Sequence, residues 1–79
     1  MKIGTIVRHL DRMGVVINKL ETGKAQCVFG SETNRFLLAV KPSLLTQIEI
    51  INLTPQEHED VLHLMQALVF LMVENNEPF

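Results

Sequence analysis

Seventy-nine residues, 47% of them apolar, with a single cysteine at Cys27, describe one domain near the lower size limit for a single unstapled core. The lone thiol excludes an intramolecular disulfide and a four-cysteine zinc site, and the longest apolar run, Ala67 to Val73, falls far short of the roughly 20 residues that span a bilayer. The net charge of −2 hides an asymmetry: residues 1–53 hold all seven Lys and Arg against four acids, whereas residues 54–79 hold five acids and no Lys or Arg. Met1 to Thr5 lacks the apolar run of a secretory signal, and one cysteine suits a reducing compartment, so the expected location is cytoplasmic with no membrane contact. Small apolar domains without staples are often completed by oligomerisation.

Residues 3–50 read as five short strands, because β-branched and aromatic residues recur in bursts between turn signals and no helical period persists. The first is expected over Ile3 to Leu10, followed by a turn at Asp11 to Gly14 in which Gly14 takes positive φ. The second runs from Val15 to Leu20, and Gly23 marks a tight hairpin at Glu21 to Lys24. The third, Ala25 to Phe29, places Ala25, Cys27 and Phe29 on one face. After a turn at Gly30 to Asn34 comes the fourth, Arg35 to Val40, apolar on both faces and therefore expected to be central and covered twice. Pro42 breaks the ladder, and a single 3₁₀ turn around it would deliver the chain to a last strand, Thr46 to Ile51.

Five antiparallel strands with such connections predict a mainly β fold: a small SH3-like barrel over residues 1–53, one amphipathic C-terminal helix over 54–75, and a tail at 76–79. Closing the sheet on itself answers the edge problem of a flat sheet. The expected interior is Val7, Val16, Cys27, Phe29, Phe36, Leu38, Leu45 and Ile48.

Val7-Arg8-His9, Gly14-Val15-Val16, Gly23, Cys27-Val28-Phe29, Leu44-Leu45 and Ile48 together resemble the pattern of Tudor-like and KOW-like barrels over about residues 3–50. The chain departs from that pattern in having one glycine at the first turn where a pair is usual, and in the acidic helix that follows. The resemblance implies a binding module, of the kind that engages RNA polymerase, ribosomal components or nucleic acid.

The helix carries the strongest local signal. Thr54 suits the N-cap, Pro55 the first helical position, and Glu57 completes a Thr-x-x-Glu capping box. Glu57, Glu59 and Asp60 suit the positive end of the helix dipole. From Val61 to Val73, eleven of thirteen residues are apolar. At 100° per residue they make an arc of about 200°, roughly twice what docking on one core requires. The expectation is that the helix shares its surface between its own barrel and another chain, in a homodimer or with a protein partner. The interface residues would be Leu62, Met65, Leu68, Val69, Phe70, Met72 and Val73. Phe70 stands out as an aromatic among His63, Gln66 and Ala67 on the polar side, either an anchor or tolerated surface.

No constellation for chemistry emerges. His58 and His63 lie about 140° apart round the helix, and His63 with Glu59 gives two ligands where zinc needs three or four, so no metal is expected. His9 has no nucleophile or acid at a recognisable spacing, and reads as a strand histidine bonded to turn backbone near Asp11. Cys27 sits among apolar neighbours and the four glycines are isolated, so neither a reactive thiol nor a phosphate loop is indicated. The reading is a non-enzymatic interaction or regulatory module with no cofactor and no small-molecule substrate. The alternative is a nucleic-acid-binding regulator using Arg8, Arg12, Lys19, Lys24 and Arg35. It is weakened by a pI near 5.8 and by the absence of Trp and Tyr.

Overall fold

The computed structural model describes residues 1–30 and 34–75, with side chains as far as residue 70. Its elements in order are β1 (Ile6–His9), β2 (Arg12–Lys19), β3 (Ala25–Gly30), β4 (Arg35–Val40), a 3₁₀ turn (Pro42–Leu44), β5 (Thr46–Gln47), a second 3₁₀ turn (Ile50–Asn52) and α1 (Pro55–Asn75). The five strands form one antiparallel sheet in the order β4-β3-β2-β1-β5, with a single helix, as the sequence predicts. No helix among the described residues is long and apolar enough to cross a membrane.

The sheet curls because β2 serves two neighbourhoods. Its first half pairs with β1 from Arg12 to Val15, and its pairing with β3 shifts register between Val16 and Asn18. Such an irregularity bends a strand and tightens its twist. The concave face gathers Val7, Val16, Ala25, Cys27, Phe29, Val40 and Leu45 into one barrel-like core, with Phe36 partly buried against it. The opposite face of β2 and β3 receives α1. There Val15 and Val28 pack with Leu64 and Leu68, and Ile6 and Met13 pack with Val61. Alternation along β2 therefore divides its side chains between two apolar layers, which is why Met13 to Val16 is buried without a break.

Gly14 belongs to that strand rather than to a turn. A Cβ built on it would run into the Phe29 ring, so the absence of a side chain is what lets that ring approach the β2 backbone. The reversal between β1 and β2 falls instead on Leu10 and Asp11, both with positive φ (50° and 62°). Two successive left-handed residues are what a two-residue hairpin needs to match strand twist, but Leu is poorly suited to that conformation. The hairpin at Gly23 is as expected, with φ +89° and a Gly23 N–H to Leu20 carbonyl bond of 3.0 Å.

Four further expectations are corrected. β1 is shorter than Ile3 to Leu10, because Ile3 and Gly4 form a turn closed by the Thr5 N–H on the Lys2 carbonyl, and Gly4 and Thr5 bond to Val16 before the ladder starts. β5 is only two residues long, since the chain coils at Ile50 instead of extending to Ile51. Ile48 leaves the barrel interior and packs beside Ile6, Met13 and Val61 under the helix. The largest difference is β4, which is the edge of the sheet rather than its centre. Only Val40 of its six residues is buried, and Leu38, expected inside, is 42% exposed. The turn at Ser31 to Thr33 and the tail at 76–79 lie outside the described residues.

Candidate functional site

The start of α1 is fixed as the capping box requires. The Thr54 hydroxyl accepts from the Glu57 N–H at 3.2 Å, and Glu57 Oε1 accepts from the Thr54 N–H at 3.0 Å. The second carboxylate oxygen of Glu57 accepts from the Arg8 guanidinium at 2.5 Å, tying the first turn of the helix to β1. The Thr54 N–H, with Arg8 next, holds the Glu57 carboxyl below its ordinary pKa. Arg8 is therefore engaged within the fold rather than left as a free cation.

With that end pinned, α1 runs over β2 and β3 and commits Val61, Leu64 and Leu68 to its own sheet. Of the residues expected at an interface, Leu68 is buried in this internal contact and Met65 half-buried between its two clusters. Leu62, Val69 and Phe70 are exposed. The side chains of Met72 and Val73 lie outside the described residues. By helical angle Leu62 and Val69 share one flank, while Phe70 lies on the other.

That second flank faces β4. A groove of about 480 Å³ runs between α1 and β4, lined by Val28, Arg35, Phe36, Leu37, Gln66, Ala67 and Phe70. Phe70 is 71% exposed and Leu37 50%, so two large apolar side chains meet water at one place. Among the described lining residues the cation is Arg35. Neither Leu37 nor the groove figured in the sequence-based site; the signal was the unbroken Phe36-Leu37-Leu38-Ala39-Val40 run, assigned there to a covered strand.

A second, more polar cleft of about 400 Å³ lies between the β1–β2 turn and the first turns of the helix. Asp11, Arg12, Glu57 and Asp60 are among its lining residues. Arg12 stacks over the Phe36 ring at 5.1 Å, a cation–π contact. Of the five basic positions considered for nucleic acid, Arg12 and Arg35 lie toward one end of the sheet, Lys19 and Lys24 toward the other. The two ends of β2 are about 23 Å apart at 3.3 Å per residue.

His9 stacks obliquely on Phe29 with centroids 6.0 Å apart, and its Nδ1 lies 3.3 Å from the Leu44 carbonyl oxygen, so its backbone partner is the 3₁₀ turn rather than the region of Asp11. The Cys27 thiol is fully buried, and burial raises its pKa, which keeps it protonated and unreactive. Among the described residues no three His, Cys, Asp or Glu side chains converge as metal ligands would.

No protein-family model, curated protein or solved structure matches this chain.

Proposed function

We propose that this chain is a non-enzymatic protein-interaction module of adaptor or regulatory type, self-associating through the exposed side of its C-terminal helix. The observation that carries this reading is the groove between α1 and β4, which both Phe70 and Leu37 line while exposed. A cleft whose described lining is mostly apolar suits the burial of another apolar surface, and an aromatic anchor is what interface energetics favours. The Tudor-like and KOW-like resemblance, a family of binding modules, points in the same direction. The nucleic-acid alternative draws less support, because Arg8 is paired with Glu57 and acids flank Arg12.

Light scattering after size exclusion tests the reading. The wild-type chain is expected at twice its 9.0 kDa mass and Phe70→Glu at the monomer mass with unchanged secondary structure. Two monomers at every concentration would contradict self-association.

A further inference from the structure

β4 is incomplete in two ways at once. Its inner edge pairs with β3 in continuous register from Arg35↔Gly30 to Val40↔Ala25, but its outer edge pairs with no described strand. Half of its backbone N–H and C=O groups therefore point outward. Exposed edges are ordinarily blunted by charge, proline, a bulge or brevity. β5, the other edge, is two residues long. β4 is six long, and between Phe36 and Val40 it has neither charge nor proline. Its side chains are also uncovered, Leu37 and Ala39 on the face toward α1 and Leu38 on the other. Phe70 lines the same groove as Leu37.

We infer that β4 pairs antiparallel with β4 of a second copy across a two-fold axis at Leu37, joining the two sheets into one and packing Phe70 of each copy beside the paired leucines. This rests on the self-association proposed above and names its geometry. An antiparallel ladder pairs residues whose backbone groups point the same way, so a two-fold axis passes through a residue and not between two. Centring on Leu38 would set Arg35 opposite Lys41 of the mate, and like charges directly opposed are destabilising. Centring on Leu37 sets Arg35 opposite Ala39 and Phe36 opposite Leu38, with no charge against charge. The strand is self-complementary in that register.

The helix direction adds a second complementarity. Val61 packs near Met13 at the start of β2, and Leu64 and Leu68 pack with Val15 and Ile17 further along. α1 thus runs with β2, and through β3 also with β4. The two-fold axis sets the two helices antiparallel over the joint, with opposed dipoles. It also brings Arg35 of each copy toward the C-terminal half of the other's helix, the negative end, where the last turn has no basic residue of its own.

Disulfide trapping tests the register. Paired Cα atoms in an antiparallel ladder lie about 4.5–5.5 Å apart, within disulfide reach. Under mild oxidation Leu37→Cys is expected to give a covalent dimer that reductant cleaves. Leu62→Cys, on the far flank of the helix, is expected to give none, as is the wild type, whose only thiol is buried. A dimer by light scattering that links through Leu62→Cys and not Leu37→Cys would overturn the strand pairing and leave self-association standing. A monomer at all concentrations with neither link would overturn both.

Discussion

Strands β2 and β4 flank β3 on either side, and both carry apolar side chains on both faces. β2 buries Met13, Val15 and Val16, one set under α1 and the other in the barrel-like core. β4 buries Val40 and leaves Leu37, Leu38 and Ala39 in water. The difference is the helix. It is one cylinder about 10 Å across, comparable to two strand spacings of 4.8 Å, so it covers β2 and β3 and stops short of β4. A strand apolar on both faces therefore demands two covers, and says nothing about whether its own chain supplies them. For β2 it does. For β4 the second copy inferred above would complete the edge and add its Phe70 and Leu37 on the helix side.

Removing the cover from β2 should have the largest effect. Leu64, on the helix and fully buried in the cluster with Val15 and Val28, should cost about 2–5 kcal/mol of stability on change to alanine. Leu37→Ala on β4, measured in dilute monomer by denaturant unfolding, should stay within about 0.5 kcal/mol. Equal losses at the two sites would erase the distinction between the strands. Gly14→Ala probes the other face of β2. Its new Cβ meets the Phe29 ring and, at 2.9 Å, the Val28 carbonyl oxygen, so a loss of about 1–3 kcal/mol is expected from thermal unfolding.

The turn into β2 should yield a smaller change of opposite sign. Leu10→Asn places a residue suited to positive φ where an exposed leucine now stands, and a gain of about 1 kcal/mol is expected in chemical denaturation. The smallest effect concerns the pin that sets α1 over β2. Glu57 has a folded pKa below its unfolded one, so its bonds stabilise fully above the ordinary carboxylate range. That contribution fades as pH falls through the range and is gone below the lowered folded value. Glu57→Gln should give a shallower loss of melting temperature on acidification than the wild type. Parallel acid limbs would mean that the Arg8 and Thr54 bonds add nothing.

The features legible in the sequence are those set by local chemistry. Thr54, Pro55 and Glu57 marked the helix start to the residue, Gly23 marked its hairpin, and Pro42 marked the 3₁₀ turn, because each acts on backbone within a few residues. Alternation also assigned Cys27 and Phe29 to the barrel face. What escaped depends on distant partners. Gly14 looked like a turn glycine, whereas its role is set by Phe29, fifteen residues away. Leu10 gives no hint of positive φ. The double apolarity of β4 suggests burial, since composition does not tell a covered strand from an uncovered edge. For the same reason Phe70 stands out as a misfit in the sequence while Leu37, which lines the same groove, does not.

The most direct test compares the two strands in the unmodified chain. Hydrogen exchange followed residue by residue should find β2 amides protected at low and high protein concentration alike. The amides of β4 should gain protection as concentration rises, together with those around Phe70. Exchange in β4 that does not change with concentration would contradict the claim that a second copy completes its edge.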